Sequence, residues 1–328
     1  MVKNIVRYLL IILILCGVFY VVNAVDNDTE DSYAGISDIS FEPNYELYST
    51  DMSYDGIEYT IVHSDYNTND TRFNDCYYAL LIDHTDGEIY VSKNAHQRMY
   101  PASMTKLVTA MVVCDKLNSG EISEDDVVTV ENYYDLTYED VLPCELKPGS
   151  KITVKDLIYG LLIESNNYYA LILADYVAGS QSAFCALMNQ KMLDIGATNT
   201  HFVNPHGLDD PEHYSTAFDM YLITLEADTY EYIRNIDTYE TYAYTYTNAD
   251  NYPVDADIMA SNLFYNDYVD LPANFTIRTW KTGTTSGAGH CLTMCLTKDG
   301  HEYYLVASHG ESKPELYDMI IEMLCLIK

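Results

Sequence analysis

The chain has 328 residues, of which 48% are apolar and 20% are charged, so it can form one large globular domain or two small ones and is not globally disordered. Its 50 acidic residues outnumber 17 basic residues and give a formal net charge of −33. A surface of this sign repels nucleic acid and anionic lipid, so nucleic acid is excluded as an expected partner.

The first 24 residues have the pattern of an export signal. Lys3 and Arg7 precede an apolar run over residues 8–22, and Val22-Asn23-Ala24 forms a small-residue cleavage site. The run is shorter than the roughly 20 residues that a membrane-spanning helix needs. We predict a signal peptide over residues 1–24, with an uncleaved membrane anchor as the alternative. Both place the rest of the chain outside the cytoplasm.

Residues 25–75 differ sharply from the rest in composition. Between Asp26 and Asp75 there are thirteen acidic residues and a single basic residue, Arg72, mixed with small polar residues and tyrosine. Such a composition is typical of a solvated segment. We predict an acidic extracellular spacer, in which residues 57–62 have the character of an edge strand.

Residues 76–328 have the patterns of a folded domain. Residues 77–83 and 88–93 are strand-like runs on either side of Asp86-Gly87, which is a hairpin signal. A helix is predicted from Ser103, because apolar residues recur at helical spacing after it without Gly or Pro. Residues 115–228 are predicted to be mainly helical, with helices over 154–162, 168–177 and 183–195.

The last hundred residues are predicted to return to strands. Alternating tyrosines predict a strand over 242–246, and the tyrosine-rich stretch 230–252 is interpreted as strand surface. Further strands are predicted over 275–281, 291–297 and 303–308, followed by a final helix over 314–327. Strands at both ends and helices between them predict an α+β fold, in which an antiparallel sheet is built from both ends of the domain and a helical subdomain, about 104–228, is inserted.

The eight cysteines do not have the spacing of a small disulfide-linked domain. Four of them lie in apolar sequence and are predicted to be buried thiols: Cys114, Cys185, Cys295 and Cys325. No Cys-x-x-Cys pair or His/Glu cluster has the spacing of a metal site. Neither a metal nor an organic cofactor is expected.

The stretch Ser103-Met104-Thr105-Lys106 carries the first chemical pattern. Residues three apart on a helix face the same way, so a hydroxyl and an amine are held together at a helix start, where backbone N–H groups are free. A serine nucleophile needs a nearby base and donors for an oxyanion. Taken alone, the stretch is better explained by a capping serine and a surface lysine.

Two further patterns change this interpretation. Ser165-Asn166-Asn167 follows an apolar run and presents a hydroxyl and a carboxamide, and Lys281-Thr282-Gly283 lies at the end of a predicted strand. Each pattern is weak alone. The order Ser-x-x-Lys, Ser-x-Asn, Lys-Thr-Gly is the one found in penicillin-binding proteins and class A β-lactamases.

From about residue 76 to residue 328 the chain closely resembles the low-molecular-mass D-alanyl-D-alanine carboxypeptidases. Besides the three motifs, the stretches Leu146-Lys147-Pro148-Gly149, Asn204-Pro205-His206-Gly207-Leu208 and Ala288-Gly289-His290 are similar to that family. The resemblance implies a β-lactamase/DD-peptidase-like fold and location on the cell-wall side of the cytoplasmic membrane. It also implies removal of the terminal D-alanine from peptidoglycan stem peptides through an acyl-enzyme, and covalent inhibition by β-lactams.

The resemblance implies catalytic roles for three residues. Ser103 attacks the carbonyl between the two D-alanines, Lys106 is the base, and Ser165 relays the proton to the leaving amine. The amine of Lys106 must be neutral, and Lys281 nearby would lower its pKa by like-charge repulsion.

The remaining motif residues are assigned to the substrate on the same ground. Asn167 would orient the substrate amide, Lys281 and Thr282 would hold the terminal carboxylate, and Gly283 would give an approachable backbone. The backbone N–H groups of Ser103 and Thr284 would form the oxyanion hole.

Three alternatives stay open: a DD-endopeptidase that cuts cross-linked stems, a class A-like β-lactamase, and a non-catalytic scaffold that binds penicillin or the wall. A β-lactamase is disfavoured because residues 204–208 lack the glutamate that activates its deacylating water. His206 and His213 are interpreted as loop-forming residues rather than bases, because Lys106 fills that role.

The chain departs from the family at four places. Asn166 stands where a small residue is more common, and Thr284 where an aromatic residue or His is common. The stretch His309-Gly310-Glu311-Ser312 lacks the arginine that part of the family uses for the terminal carboxylate. No C-terminal β-domain or amphipathic anchor is expected, so membrane attachment is expected through the N-terminal segment only.

Overall fold

The computed structural model describes residues 52–54, 57–60, 62, 65, 75–136, 145–236, 238–265 and 268–328. They belong to a compact unit that runs from Tyr48 to Lys328. The predicted signal peptide and most of the predicted spacer lie outside the described residues and stay predictions. Among the described helices, none is by itself long and apolar enough to cross a membrane. Two consecutive helices with a bend between them, Asn167–Ala178 and Gln181–Asp194, have the necessary length and apolar composition only when taken together.

The described strands form three antiparallel sheets. In chain order they are β1 (Met52–Tyr54), β2 (Ile57–Tyr59), β3 (Tyr78–Asp83), β4 (Glu88–Lys93), β5 (Val127–Thr129), β6 (Lys151–Thr153), β7 (Thr241–Thr247), β8 (Pro253–Met259), β9 (Thr276–Thr285), β10 (Gly289–Lys298) and β11 (His301–Gly310). The central sheet has the order β4-β3-β11-β10-β9, so it is built from both ends of the domain as predicted. The other two are β1-β2 and β5-β6-β7-β8.

The second large sheet corrects two predictions. Residues 115–228 contain β5 and β6, which the prediction of a mainly helical region left out. The predicted strand 242–246 pairs with β8, and the next residue, Thr247, pairs with Lys151 of β6, so this strand lies outside the central sheet. The tyrosine-rich stretch is only partly surface. Tyr244 and Tyr246 are buried, because one face of β7 packs on the helical part while Thr245 stays exposed.

The described helices are α1 (Lys106–Asn118), α2 (Val154–Tyr159), α3 (Asn167–Ala178), α4 (Gln181–Asp194), α5 (Ala217–Thr229), α6 (Glu231–Ile236) and α7 (Lys313–Leu324). Five of them begin after a residue whose side chain accepts a hydrogen bond from the first turn, as N-caps do: Thr153, Asn166, Ser180, Thr216 and Ser312. α1 is buried along residues 106–114 and contacts α3, α4 and α5. α5 and α7 pack on the central sheet.

The end of the predicted spacer contacts the domain. Residues 57–59 pair with β1 in a separate hairpin, so they are not an edge strand of the central sheet. The Thr60 amide donates to the Tyr221 hydroxyl at 3.0 Å, and His96 Nε2 lies 2.6 Å from the carbonyl oxygen of Val62, which is buried. The folded region therefore begins before residue 76.

The described cysteines are free thiols. Cys114, Cys185 and Cys295 are buried as predicted, and burial raises the pKa of Cys114 to about 12. The prediction for Cys325 is wrong, because this residue caps the C-terminus of α7 just beyond the buried Leu324 and is exposed.

Candidate active site

Ser103 lies on a 3₁₀ turn, Ala102–Thr105, that leads directly into α1. Ala102 has a φ of 48°, a left-handed conformation that is strained for a residue with a side chain. Two glycines from other segments press against this turn. A Cβ on Gly207 would overlap the Ala102 carbonyl oxygen, and one on Gly283 would lie 3.1 Å from the Ser103 nitrogen. Only residues without a side chain let the two segments approach the nucleophile this closely.

Lys106 is fully buried and its amine contacts three oxygens. Its Nζ lies 2.6 Å from Ser103 Oγ, 2.6 Å from Asn167 Oδ1 and 2.9 Å from the carbonyl oxygen of His206. The last two oxygens only accept hydrogen bonds, whereas a serine hydroxyl also donates. A neutral amine has two N–H groups and one lone pair. It satisfies all three contacts when it donates to the two carbonyl oxygens and accepts a hydrogen bond from the Ser103 hydroxyl.

The surroundings of Lys106 favour this neutral form. Burial lowers its pKa well below the usual range, and the positive charge of Lys281 lowers it further. The pKa shift predicted from the like charge is therefore present, with burial as the larger cause. An uncharged lysine amine beside a serine hydroxyl is a base in position to activate a nucleophile.

Ser165 and Asn167 are positioned by a break between two helices. After α2 the chain makes one turn of π-helix, Gly160–Glu164, and Ser165 then adopts a left-handed φ of 70°. The Asn166 side chain accepts a hydrogen bond from the Tyr168 amide and caps α3, so Asn166 is a structural residue at this motif. The strained turn places Ser165 at a cavity while Asn167 reaches Lys106.

The third motif lies at the C-terminal end of β9. Thr282, Gly283 and Thr284 line the cavity, and Thr282 Oγ1 lies 2.6 Å from Ser261 Oγ. Lys281 is fully buried, lies over the Trp280 ring and is not part of the cavity lining. Its predicted grip on a substrate carboxylate stays a prediction, because Lys106 is likewise fully buried and outside the cavity lining and yet contacts Ser103 Oγ.

The cavity at Ser103 has a volume of about 300 Å³. Beside the motif residues it is lined by five that the sequence analysis did not single out: Glu164, Leu208, Ser261, Thr285 and Lys313. Glu164 is next to a motif, but Ser261 and Lys313 come from distant segments with no local signal. The one hint was a lysine at the start of a predicted helix, where the helix dipole disfavours a cation.

Charged and titratable groups at this cavity are few. Burial raises the pKa of Glu164, although Asn166 Nδ2 donates to its carboxylate at 3.2 Å. Thr284 Oγ1 lies 3.0 Å from His290 Nδ1, and burial together with the charge of Lys313 lowers the pKa of His290. Lys313 is exposed and brings an accessible positive charge to the lining.

His206 and His213 hold the loop behind Lys106. Burial lowers the pKa of each to about 3, so both are neutral at neutral pH. Nδ1 of His206 accepts from the Leu208 amide at 3.2 Å, and His213 Nε2 lies 2.9 Å from Thr105 Oγ1. These bonds fix the loop that offers its carbonyl oxygen to Lys106.

Among the described residues, one group has the donor spacing of a metal site: Asp83, Asp86 and His301. His301 Nδ1 lies 2.8 Å from Asp83 Oδ2, an ion pair whose carboxylate raises the pKa of His301. None of the three lines the cavity at Ser103. The contact is explained as an ion pair between β3 and β11.

Comparisons with known proteins find relatives of this chain. A family model described as D-alanyl-D-alanine carboxypeptidase matches residues 68–310. The chain is 32% identical over 239 residues to the D-alanyl-D-alanine carboxypeptidase DacF of Bacillus subtilis, covering 72% of this chain and 58% of that protein. It is 34% identical over 223 residues to DacC of Escherichia coli, covering 67% and 52%. The chain thus spans between about half and three-fifths of the length of these relatives.

Among solved structures, penicillin binding protein 5 from Haemophilus influenzae is similar with a TM-score of 0.67 and 28% identity, over 77% of this chain and 70% of that one. The DD-transpeptidase of Streptomyces K15 shares the fold with a TM-score of 0.68 at 23% identity, over 76% of this chain and 96% of that one. The predicted β-lactamase/DD-peptidase-like α+β fold is confirmed.

Proposed function

Because the chain belongs to the D-alanyl-D-alanine carboxypeptidase family, we propose that it is a serine-type hydrolase that removes the terminal D-alanine from peptidoglycan stem peptides. The observation that carries the proposal is the 2.6 Å contact between Ser103 Oγ and the buried Lys106 Nζ. A lysine with a lowered pKa is the base that serine chemistry requires at neutral pH.

Acylation begins when Lys106 Nζ takes the Ser103 hydroxyl proton. Ser103 Oγ then attacks the carbonyl carbon between the two D-alanines, and the backbone N–H groups of Ser103 and Thr284 donate to the resulting oxyanion. When the intermediate collapses, the C–N bond breaks and the leaving amine takes the proton from Lys106 through the Ser165 hydroxyl. Free D-alanine and a serine ester are the products.

Deacylation reverses these proton movements with water in place of the amine. Lys106 takes a proton from water, the hydroxide attacks the ester carbonyl, and the C–O bond to Ser103 breaks. The proton returns to Ser103 Oγ, and the shortened stem leaves. Asn167 donates to the substrate amide from its Nδ2, because its Oδ1 is occupied by Lys106. β-Lactams react at the same serine and form the covalent inhibited state.

The terminal carboxylate is held by Lys313 together with the Thr282 and Thr284 hydroxyls. Lys313 supplies an accessible cation to the cavity lining, whereas Lys281 is buried and acts on the pKa of Lys106. Lys313 opens α7, so the positive end of the helix dipole reinforces its charge toward an anion. This assignment replaces the arginine that residues 309–312 lack.

The full-length chain is incubated with a pentapeptide stem ending in D-Ala-D-Ala, and free D-alanine is measured. We expect release by the wild type, none by Ser103→Ala, and wild-type release by Ser182→Ala, which removes an exposed serine on α4. Fluorescent penicillin should label the same two active proteins and not Ser103→Ala. Cleavage of cross-linked dimers without D-alanine release would establish the endopeptidase alternative instead, and binding of muropeptides without cleavage would establish the scaffold.

The proposed location is the cell-wall side of the cytoplasmic membrane. The basic residues and apolar run within residues 1–24 support it. Mass spectrometry of the cell-associated protein should find a mature N-terminus at Val25 or, for an anchor, an intact one in the membrane fraction. An intact chain in the cytosol would contradict both forms of export.

A further inference from the structure

A second cavity, also of about 300 Å³, lies next to the cavity at Ser103. Four separate chain segments each contribute a residue to both cavities. In each segment the two residues are only two to four positions apart in the sequence. The pairs are Ser103 with Tyr100, Leu208 with Pro211, Thr285 with Gly287, and Lys313 with His309. Because an extended residue spans at most about 3.6 Å, the two cavities are neighbours.

Asp209 connects residues that line the two cavities. One carboxylate oxygen accepts from Thr285 Oγ1 at 2.6 Å, and the other accepts from the Gly287 amide at 2.8 Å. These bonds tie the loop after His206 to the turn between β9 and β10. The loop and the turn are therefore held together by two hydrogen bonds to a carboxylate acceptor, which are stronger than bonds between neutral groups.

The second cavity carries a positive charge on a protein that is otherwise strongly acidic. Arg98 lines it, and its guanidinium lies 3.8 Å from the centre of the Tyr214 ring. Among the residues that the structure describes, no Asp or Glu is part of the lining. Within the described part of the chain, Arg98 has no carboxylate partner within ion-pair distance.

The position of Arg98 is fixed before any ligand arrives. The Tyr78 hydroxyl donates to the Arg98 carbonyl oxygen at 2.9 Å, and the next residue, Met99, exchanges two backbone hydrogen bonds of 2.9 Å with Ser215. A guanidinium stacked on an aromatic ring keeps the N–H donors in its plane available for a carboxylate. Tyr78 and Tyr100 add aromatic surface to the lining.

We propose that this second cavity is a subsite for the stem peptide, in which Arg98 binds a carboxylate other than that of the terminal D-alanine. The inference rests on the proposed function, which supplies the peptide. Its reason is the charge complementarity between Arg98, in a cavity lining without acidic residues, and an anionic substrate. The cavity also lies close to the nucleophile, because its residue Tyr100 is three positions from Ser103. The subsite makes the enzyme select stems by the charge of their middle residues.

The test uses two synthetic stems that differ only in one internal side group, a free carboxylate in one and its amide in the other. Hydrolysis of both is measured with the wild-type full-length chain and with Arg98→Gln, Arg98→Lys and Lys116→Gln. Lys116 pairs with Glu121 away from both cavities and controls for the change in net charge. We expect the wild type and Lys116→Gln to favour the acid by roughly 2- to 5-fold in kcat/KM, which is the range for an accessible ion pair.

Arg98→Gln should treat the two stems alike, and Arg98→Lys should keep part of the preference. Binding of both stems to Ser103→Ala, measured by calorimetry, gives the same acid-to-amide ratio without turnover. Equal treatment by the wild type, or an undiminished preference in Arg98→Gln, would overturn the subsite. If no stem is hydrolysed, the proposed function is wrong. The ratio of the two affinities measured by calorimetry still tests the subsite, and a ratio near one would contradict it.

Discussion

Lys106 reaches its neutral form mainly through burial, and the charge of Lys281 adds to that effect. The two causes make different demands on the fold. Burial requires the α1 segment to be fully enclosed, which the buried run over residues 106–114 provides. The like charge requires only one further residue. The second cause is therefore the one that a single substitution can remove without opening the core.

Lys281→Met removes the charge and keeps the length of the buried side chain. We expect the pKa of Lys106 to rise, so the ascending limb of the profile of kcat/KM against pH moves to higher pH. Activity lost at neutral pH should return in part at alkaline pH. The loss should be smaller than the roughly 10²–10⁴-fold expected for Lys106→Ala, which removes the base. Lys116→Met is the control, and an unshifted profile in Lys281→Met would disprove the electrostatic role.

Lys313→Gln tests the cation at the mouth of the catalytic cavity. Loss of an accessible ion pair should lower kcat/KM for a stem with a free C-terminal carboxylate by roughly 2- to 5-fold, mainly through KM. Lys313→Arg should retain the wild-type value. A stem with a C-terminal amide has no charge to lose, so the difference between wild type and Lys313→Gln should vanish with it. A loss that is equal for both stems would assign Lys313 a structural role.

At the scale of the element, the nucleophile is positioned by backbone contacts rather than by side chains. The loop at Gly207 and the strand β9 at Gly283 both lie against the 3₁₀ turn that carries Ser103. Gly207 also has a φ of 94°, a conformation that disfavours any other residue. The glycines of the two motifs are thus steric requirements of the site.

Gly207→Ala should damage both the fold and the labelling of Ser103 by penicillin. A Cβ at this position would overlap the Ala102 carbonyl oxygen, so the turn must move. Gly120→Ala is the matched control, because Gly120 has a φ of 73° but no atom within 4 Å of the added Cβ. The control should cost about 1–2 kcal/mol in the free energy of unfolding, the price of the left-handed conformation alone. Urea unfolding that gives the same cost for both variants would argue against the steric account.

Long helices and strands could be predicted because their apolar residues recur at a regular spacing. The helices over 167–178 and 181–194 were predicted within two residues at each end. The same holds for β3, β10 and β11, the three inner strands of the central sheet. The strands β5 and β6 have three residues each, too few to show alternation. β6 pairs with Thr247, almost a hundred residues away, and no local pattern reports such a pairing.

The residues of the candidate site likewise fall into those that a local motif predicts and those that only the tertiary structure brings in. Ser103, Lys106 and Asn167 were found because their motifs are local, and the structure brings them within 2.6 Å contacts. Ser261 and Lys313 enter the cavity only through the packing of β9 and α7, so their proximity to Ser103 is a tertiary property. The burial of Lys281 is a tertiary property too.

At the scale of the whole molecule, two buried histidines make the stability depend on pH. His206 and His213 have pKa values of about 3 in the folded protein, against about 6.5 in an unfolded chain. Below pH 6.5 the unfolded chain binds protons that the folded protein does not. The free energy of unfolding therefore falls as the pH falls from about 6.5 toward 3, and above pH 6.5 the two histidines contribute no pH dependence.

The expected slope is at most about 1.4 kcal/mol per pH unit for each histidine in that window. Asp219 and Asp228, whose pKa values are raised by burial, oppose the histidines, because their protonation on acidification favours the folded state. Between pH 6.5 and 5 carboxyls with ordinary pKa values stay ionised, and the two buried histidines outnumber His301, whose pKa is raised by Asp83, so the free energy of unfolding should fall there. Urea unfolding across this interval should show the loss, and His213→Gln should reduce its slope.

His309→Gln is the control for replacing a histidine at an exposed position. The distinction matters for the catalytic geometry, since His206 offers its carbonyl oxygen to Lys106. In the folded protein the buried pair takes up protons only near pH 3, so between pH 6.5 and 5 the two histidines should leave penicillin labelling of the folded protein unchanged although its stability falls. A flat stability profile in the wild type between pH 6.5 and 5 would show that the two histidines are not held neutral by burial.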